Sequence, residues 1–413
     1  MSVTGTPNAP SRGTAAEVFR AFLRLGLISF GGPVAHLGYF HAEFVERRAW
    51  CGEETFAEVV AIAQSLPGPA SSQVGFTLGL LRAGWAGGLA AWTAFTMPSA
   101  ILMLAFAFGH HLLSGRHGLG LVHGLQLVAV AIVAQAIVSM RRTLAPDAPR
   151  LALAVVAVFI VYFGLGSLAA IALGALFGLL LPRPEQPATP MHPLGFRLPK
   201  SAALVSAALF FGLLFGLPGL QLLSPSQPVA VFNAFYRTGA LVFGGGHVVL
   251  PLLESAVVAP GWVDQQTFLS GYGAAQALPG PLFTFAAYLG ASIQSPGGPH
   301  PPSFGECGIA GTYGLLALIA IFLPGLLAVV AILPFWSELR QRATVQAMLR
   351  GVNAAVVGVL IAAWAHPVCS SALHSLLDAA ISLAALSALL RWKLPPWIVV
   401  LAVASFSALA TIT

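Results

Sequence analysis

Apolar segments follow one another along nearly the whole chain, and short stretches rich in Gly, Pro or Arg separate them. A helix needs about 20 residues to cross the roughly 30 Å of hydrocarbon in a bilayer. Only structures that satisfy their own backbone hydrogen bonds are stable in lipid, and helices do so. The pattern therefore predicts an all-α polytopic membrane protein whose surroundings are the lipid bilayer.

The composition supports membrane insertion and argues against a nucleic acid partner. Of the 413 residues, 57% are hydrophobic and 8% are charged, whereas a soluble domain carries about 25% charged residues. The net charge of +6 comes from Arg and Lys residues in loops and at helix ends, where such residues set membrane topology. Because no basic run is present, we expect no nucleic acid partner.

The sequence contains no pattern that predicts a metal site or a catalytic site. Cys51, Cys307 and Cys369 are far apart and odd in number, so they form neither a disulfide framework nor a zinc site. A group of histidines falls in a predicted loop that has no acidic or Cys ligand: His110, His111, His117 and His123. No nucleophile or carboxylate pair stands in register within the apolar segments. We expect no catalytic residue, metal or cofactor.

Two glycine- and proline-rich motifs occur twice. Phe-Gly-Gly-Pro at 30–33 and Leu-Pro-Gly-Pro at 66–69 recur as Phe-Gly-Gly-Gly at 243–246 and Leu-Pro-Gly-Pro at 278–281. Flanking residues match as well, among them Arg24 with Arg237 and Gln64 with Gln276. The chain is therefore predicted to be a duplication with repeats at 15–181 and 229–413, after a disordered N-terminal arm at 1–14.

The segments between the repeats change the orientation of the second one. A proline-rich linker at 182–200 precedes an apolar segment at 201–217 that has no counterpart in the first repeat. One extra span turns the second repeat upside down. The repeats are then related as the inverted-topology repeats of many transporters are.

The basic loops agree with this inversion. They follow the span near 122–140 in the first repeat but precede the span near 351–366 in the second, and the loop at 366–371 has no Arg or Lys. Under the positive-inside rule, these loops and the linker are cytoplasmic. The N-terminus is then cytoplasmic and the C-terminus periplasmic. The basic residues are Arg141, Arg142 and Arg150 in the first repeat and Arg340, Arg342 and Arg350 in the second.

The repeated motifs predict broken helices. The apolar pieces at 55–66 and 70–81 are each too short to cross a bilayer, and the Pro-Gly-Pro between them removes backbone donors and permits a turn. A re-entrant helix that breaks at the midplane and returns fits this pattern, and a kink between two packed helices is the alternative. The returning helix offers unpaired N–H groups and a positive dipole end, which suit an anion.

These arguments give a set of predicted substrate-binding residues, in which hydroxyl and guanidinium groups supplement the backbone donors. Arg24 and Arg237 have a second interpretation, because a long side chain near a helix end also snorkels to the interface. Gln64 and Gln276 are predicted to bind the freed carbonyls or the ligand. The set is Arg24, Gly31, Gly32, Pro33, Pro67, Gly68, Pro69, Ser71, Ser72, Arg237, Gly244, Gly245, Gly246, Pro279, Gly280, Pro281 and Thr284.

Titratable residues near the breaks are candidates for gating or proton coupling. They are His36, Glu43, His247, Glu254 and Asp378. Other interpretations stay open for each kind. The two histidines also suit loop-facing positions, and Glu43 belongs to an acidic stretch, with Glu58, that reads equally well as a solvated face or as salt bridges.

The motifs resemble those of the chromate ion transporter family in its two-domain long form. Phe-Gly-Gly-Pro followed by His36, Trp50, Phe56 and Gln-Ser-Leu-Pro-Gly-Pro at 64–69 is similar to the first domain. Phe-Gly-Gly-Gly-His at 243–247, Gly-Trp at 261–262 and Leu-Pro-Gly-Pro at 278–281 are similar to the second. The resemblance implies a bacterial inner-membrane antiporter that exports chromate by means of the proton gradient and so gives chromate resistance.

The resemblance and the residue patterns lead to one expected function. We expect an oxyanion carrier that works by alternating access of two inverted repeats, with chromate as its substrate. A carrier of sulfate or another oxyanion and an anion channel of the same fold are the alternatives. A monomer and a homodimer are both compatible with the chain.

Overall fold

The computed structural model describes residues 13–109, 115–181, 198–293 and 304–410. Helices connected by short turns make up these ranges, and they contain no strand. The prediction of an all-α polytopic membrane protein is confirmed. Within these described ranges, five helices are long and apolar enough to cross a membrane: Ala70–Gly109, His117–Leu144, Lys200–Leu223, Gly308–Leu339 and Ala343–Ala372.

The first repeat contains seven α-helices within the described ranges. They are α1 (Ala15–Ile28), α2 (Gly32–His41), α3 (Glu53–Ser65), α4 (Ala70–Gly109), α5 (Arg116–Leu144), α6 (Ala148–Tyr162) and α7 (Gly166–Gly178). The apolar segment between the repeats forms α8 (Lys200–Leu223), which is longer than the predicted 201–217. Its helical state is confirmed, and its effect on the orientation of the second repeat stays a prediction.

The second repeat follows the same order of elements. Its α-helices are α9 (Gln227–Leu241), α10 (Val249–Leu253), α11 (Gln265–Ala277), α12 (Phe285–Ala291), α13 (Phe304–Ile332), α14 (Trp336–Gln341), α15 (Ala343–Ala363), α16 (Ser370–Ala372), α17 (Leu376–Leu390) and α18 (Pro396–Ala410). A π-helical turn follows α2 at Ala42–Arg47, and another follows α10 at Glu254–Val258.

The first Pro-Gly-Pro interrupts a helix as predicted. The backbone at 66–69 is not helical and lies between the end of α3 and the start of α4. A second interruption at Ala83 and Gly84 turns the chain within α4. Gly79 and Gly87 then pack backbone to backbone, with no room for a Cβ on either. Residues 53–65 and 70–82 therefore form two short helices around a break.

The second Pro-Gly-Pro interrupts a helix in the same way. The backbone at 278–281 is not helical, and a 3₁₀ turn at Leu282–Thr284 leads into α12. The chain then reverses, because Gly290 of α12 packs against the backbone of Tyr313 in α13. Both predicted breaks are confirmed.

Close glycine contacts relate the two repeats. A Cβ at Gly26 of α1 would lie 2.9 Å from the Phe95 carbonyl oxygen of α4. A Cβ at Gly239 of α9 would clash with the Ile321 carbonyl oxygen of α13. Small residues allow helices in membranes to approach closely. The pair α1–α4 thus has its equivalent in the pair α9–α13.

Helices from the second part of each repeat pack against helices of the other repeat. Helix α5 of the first repeat packs against α17 and α18 of the second, and α15 of the second repeat packs against α6 and α7 of the first. A glycine allows the helices to approach closely at both of these contacts. A Cβ at Gly124 would lie 2.7 Å from Ala404 Cα, and one at Gly351 would clash with the Gly174 carbonyl oxygen. The repeats are interlocked and do not form two separate bodies.

Two residues of the predicted N-terminal arm are part of the folded structure. The Gly13 N–H donates to the Arg82 carbonyl oxygen at 3.0 Å, and the Thr14 hydroxyl accepts from Glu17 N–H at the start of α1. Residues 13 and 14 thus belong to the folded part. The rest of the arm (1–12), the predicted linker up to residue 197, and both His110 and His111 lie outside the described residues.

Candidate functional site

The breaks of the two repeats bind each other. The Gly68 N–H, in the first Pro-Gly-Pro, donates to the Val242 carbonyl oxygen at 2.8 Å. The Gly280 N–H, in the second Pro-Gly-Pro, donates to the Ser29 carbonyl oxygen at 2.9 Å. Ser29 and Val242 are the residues that precede the two Phe-Gly-Gly motifs. The same hydrogen bond therefore occurs twice, once in each direction.

Close contacts bring the remaining parts of the breaks together. A Cβ at Gly246 would lie 3.2 Å from Pro33 Cγ, so the two glycine motifs are neighbours. A Cβ at Gly68 would lie 2.9 Å from Gly325 Cα, and one at Gly280 would lie 2.9 Å from Ser99 Oγ. The chain breaks of both repeats therefore lie at one place in the fold, and their position at the membrane midplane stays a prediction.

Glycine is required in both Pro-Gly-Pro turns. Gly68 has a φ of +113° and Gly280 a φ of +97°, values that L-residues with side chains rarely adopt. A Cβ would also lie only 2.9 Å from Gly325 Cα at Gly68 and 2.9 Å from Ser99 Oγ at Gly280. The sequence prediction that these glycines permit a strained turn agrees with the structure.

Gln73 holds the first break, a role that we predicted for Gln64. The Gln73 Nε2 donates to the Pro67 carbonyl oxygen at 2.8 Å and to the Gly325 carbonyl oxygen at 3.1 Å. Gln64 is exposed. Among the described residues it makes no hydrogen bond to the first break, so Gln73 takes the predicted contact with the freed carbonyl, and ligand binding by Gln64 stays a prediction. A polar residue in the first turn after Pro-Gly-Pro was the available signal for Gln73.

His36 is buried beside the first break. Its Nε2 is 3.1 Å from the Ser29 carbonyl oxygen, and its Nδ1 is 3.3 Å from Ser71 Oγ. The ring also packs edge-on against Phe95, with centroids 5.3 Å apart. The loop-facing interpretation of this histidine is wrong, since α2 packs against α4 and encloses the ring completely.

Several buried hydroxyl groups at the site have no partner. Among the described residues, Ser29 Oγ, Ser72 Oγ and Thr96 Oγ1 make no hydrogen bond. A buried hydroxyl without a partner costs free energy unless a ligand or water satisfies it. Thr284 differs, because its hydroxyl donates to the Pro281 carbonyl oxygen at 2.9 Å. These three unpartnered hydroxyl groups all belong to the first repeat.

The site in the second repeat includes a different histidine. His247 Nδ1 is 2.9 Å from the Tyr272 hydroxyl oxygen, and the His247 side chain is half-buried. A Cβ at Gly244 would lie 3.2 Å from Asn353 Oδ1, which brings α15 to this side of the site. His247 thus faces α11, in contrast to the loop-facing interpretation.

The two matched arginines have different environments. Arg24 is exposed on α1, on the side opposite to the buried residues Phe22 and Leu25. Arg237 is half-buried on α9 and has no hydrogen bond or ion pair with any described residue. The exposure of Arg24 favours its interface interpretation, whereas Arg237 is a half-buried cation on the helix that precedes the second glycine motif.

Two acidic residues of the predicted solvated face are buried. Glu43 accepts hydrogen bonds from Arg48 at 2.6 Å and from Arg47, which confirms the salt-bridge interpretation. Glu58 accepts a hydrogen bond from the Trp336 indole N–H and is not solvated. Glu254 is half-buried in the π-helical turn after α10.

A histidine and an aspartate join the exchanged helices. His123 Nε2 lies 2.8 Å from Asp378 Oδ1, while Asp378 Oδ2 accepts from the backbone N–H groups of His374 and Ser375. His123 and His117 are in α5, so their assignment to a loop is wrong. Asp378 had no matching partner in the sequence, because its partner comes from a helix of the other repeat.

Charged residues at the start of α6 occupy the corresponding place in the first repeat. Asp147 accepts from Arg150 Nε at 2.8 Å, and this hydrogen bond lowers the pKa of Asp147, with a smaller contribution from the charge of Arg350 in α15. Arg350 therefore lies near the loop before α6.

One further histidine flanks the site at the end of α2. His41 Nε2 is 2.8 Å from the Glu53 carboxylate at the start of α3. This hydrogen bond raises the pKa of His41. Among the described residues, no group of His, Cys, Asp and Glu side chains is arranged to hold a metal ion.

The fold and the site define a class of protein. Two repeats of broken helices, bound to each other at their breaks within a polytopic helical membrane protein, are the architecture of a transporter. The family model described as "Chromate transporter" matches residues 16–179 and 229–408. The chain belongs to the chromate transporter family.

Individual relatives are similar in sequence to this chain over most of its length. It is 29% identical to the "Probable chromate transport protein" of Synechococcus elongatus, over 84% of this chain and 83% of that protein. It is 26% identical to the "Chromate transport protein" of Pseudomonas aeruginosa (83% and 79%) and to that of Cupriavidus metallidurans (85% and 82%). No solved structure matches the chain significantly.

Proposed function

We propose that this protein exports chromate, or a closely related oxyanion, through the place where the four breaks meet. The observation that carries the proposal is the reciprocal pair of hydrogen bonds, from Gly68 to Val242 and from Gly280 to Ser29. These bonds hold non-helical backbone from both repeats at one buried position. Such backbone is tolerated in a membrane where it is buried in protein or lines a cavity.

The donors at this place suit a tetrahedral dianion. The first bond within α4 runs from Gln73 N–H to the Pro69 carbonyl oxygen, so the N–H groups of residues 70–72 have no partner inside the helix. The unpartnered hydroxyls of Ser29 and Ser72 lie in the same region. Chromate offers four acceptor oxygens and no donor, and donors bind charged oxygens strongly.

Arg237 supplies the positive charge in this proposal. It is half-buried and free of any partner among the described residues, and a guanidinium group binds oxyanions with two parallel hydrogen bonds. The remaining predicted residues, chiefly the glycines and prolines of the four motifs, act through their backbone shape.

The membrane potential favours outward movement of an anion. Moving one elementary charge across 100 mV changes the free energy by about 2.3 kcal/mol, and a dianion carries two charges. Export from a cell with a negative interior thus needs no chemical step, and resistance to chromate is its consequence.

The proposed location is the bacterial inner membrane, with a cytoplasmic N-terminus and a periplasmic C-terminus. The proximity of Arg350 to Asp147 and Arg150 supports the inverted arrangement of the repeats. It brings the start of α15 and the start of α6 to one end of the molecule, as the positive-inside rule requires for two cytoplasmic loops.

Everted membrane vesicles test the proposal. Vesicles that contain the protein should accumulate labelled chromate more than vesicles without it, an uncoupler should abolish the difference, and sulfate should compete if both oxyanions are carried. Saturation with rising chromate indicates a carrier, whereas flux that rises linearly indicates a channel. Equal uptake with and without the protein would contradict the proposed substrate.

A further inference from the structure

The contacts of His36 determine which ring nitrogen carries hydrogen. The Ser29 carbonyl oxygen only accepts, so His36 Nε2, at 3.1 Å, must be the donor. In a neutral imidazole the other nitrogen then accepts. Ser71 therefore donates its hydroxyl hydrogen to His36 Nδ1 across 3.3 Å. In this state the Ser71 hydroxyl cannot donate to anything else.

Binding of one proton would reverse this hydrogen bond. A proton from water adds to Nδ1, and both ring nitrogens of the cation are donors. Nδ1–H then donates to a lone pair of Ser71 Oγ, and the hydroxyl hydrogen of Ser71 turns away to a new acceptor. No covalent bond other than N–H is made, and the ring gains one positive charge.

The position of Ser71 decides what the new acceptor is. Ser71 lies in the first turn of α4, where the backbone N–H groups have no intrahelical partner. The next residue, Ser72, is 1% exposed, and its hydroxyl has no partner. These neighbours are donors that need an acceptor, so an anion bound there would accept from the freed Ser71 hydroxyl as well.

We propose that protonation of His36 releases the Ser71 hydroxyl to the transported oxyanion, so that a proton and the anion bind together. The inference rests on the proposed function and adds to it the sign of the proton coupling. Positive coupling between two ligands is reciprocal: the anion favours the proton as much as the proton favours the anion.

Charged groups on the neighbouring elements do not replace this interaction. Arg20 and Arg24 of α1 are exposed, and Glu17 of α1 pairs with Arg82 of α4 at 3.1 Å. At the end of α2, His41 binds Glu53, and in the following turn Glu43 binds Arg47 and Arg48. Among the described residues, the polar contacts of His36 are those with Ser29 and Ser71.

Positive coupling between proton binding and anion binding determines the direction in which the proton moves across the membrane. A site that binds the proton and the anion together carries them in the same direction, and a site that exchanges them binds one at the expense of the other. The membrane potential, acting on the net negative charge of the pair, then drives export. The antiport implied by the family resemblance would require the opposite coupling.

Two measurements on the purified protein in lipid nanodiscs test the inference. Binding of sodium chromate and of sodium sulfate is measured between about pH 5 and about pH 8, and proton uptake on addition of either salt is followed in weakly buffered solution. The wild-type affinity should rise by up to about tenfold for each unit of falling pH. Each bound anion should bring proton uptake.

Variants distinguish proton uptake by His36 from proton uptake by other titratable groups. His36→Gln should lose the proton uptake and flatten the pH dependence, and Ser71→Ala, which keeps the histidine, should reduce both. His41→Gln, on the same helix, should keep both. The anion's own titration is the same for all variants and cancels in the comparison.

The results that contradict the inference differ from those that contradict the proposed function. Full proton uptake in His36→Gln would overturn the coupling, and so would proton release by the wild type. If His36→Gln does not fold, Ser71→Ala with unchanged proton uptake would overturn it equally. A wild-type protein that binds neither chromate nor sulfate at any pH would instead contradict the proposed function.

Discussion

The Gly68 N–H donates to the Val242 carbonyl oxygen at 2.8 Å, and the equivalent bond joins Gly280 to Ser29 at 2.9 Å. Each Pro-Gly-Pro turn is thus bound to the glycine motif of the other repeat. A movement of one break changes the hydrogen bonding of the other. This arrangement suits alternating access, in which the repeats move against each other around a shared site.

The first prediction concerns these two glycines. Gly68→Ala and Gly280→Ala should each lower chromate uptake by everted vesicles at least about tenfold, because an alanine at positive φ costs about 1–3 kcal/mol and its Cβ meets the neighbouring helix. Gly38→Ala, in an open position on α2, should transport normally. Wild-type uptake by both break variants would show that the turns tolerate a side chain and are not essential.

The second prediction distinguishes the matched arginines. Arg237→Ala should abolish chromate uptake, and Arg237→Lys should retain part of it, because Arg237 is the half-buried cation. Arg24→Ala should transport within about twofold of wild type, since surface substitutions have small effects. The sequence alone predicts equal losses for both. Uptake in everted vesicles at matched protein levels decides between these outcomes.

The third prediction follows from the exchanged helices. If residues 1–190 and 191–413 are expressed as two chains, they should purify together, because α5 and α15 each pack within the other repeat. Gly351→Leu should reduce this association, as Gly351 contacts the backbone of Gly174. Gly216→Leu, on an open face of α8, serves as the control. A stable first half that purifies alone would contradict the interlocked fold.

The fourth prediction assigns a structural role to the His123–Asp378 pair. Asp378→Asn and His123→Gln should each lower the melting temperature, and the double variant should lose less than the sum, since contacting residues couple by about 0.5–3 kcal/mol. His117→Gln, exposed on the same helix, should melt like wild type. Loss of chromate uptake by Asp378→Asn without any change in melting temperature would instead favour a role in proton coupling.

The fifth prediction concerns sidedness. In a background without Cys51, Cys307 and Cys369, cysteines placed at Arg142 and Arg342 should react with a membrane-impermeant reagent from the same side, the cytoplasmic one. The segment 251–266 contains no Arg or Lys and is therefore expected on the periplasmic side, so a cysteine at Asp264 should react from that side. Labelling of the two arginine positions from opposite faces would reject the inverted arrangement.

The sequence by itself determined the helical class, the duplication and the positions of the breaks. These features are local: apolar length predicts a helix in lipid, and Pro-Gly-Pro interrupts a helix through its own missing donors and permitted turn. The repetition of the motifs at 66–69 and 278–281 needed no tertiary information. The same backbone chemistry identified Gly68 and Gly280 as glycines that the turns require.

Only the tertiary structure decided the partners of these features. The bond from Gly68 to Val242, the pair of His123 with Asp378, and the exchange of α5 with α15 join residues far apart in the chain. A periodic pattern shows that a helix has an apolar face, but it does not show which helix covers that face. The burial of His36 and the exposure of Arg24 depend on that choice, so the sequence left both open.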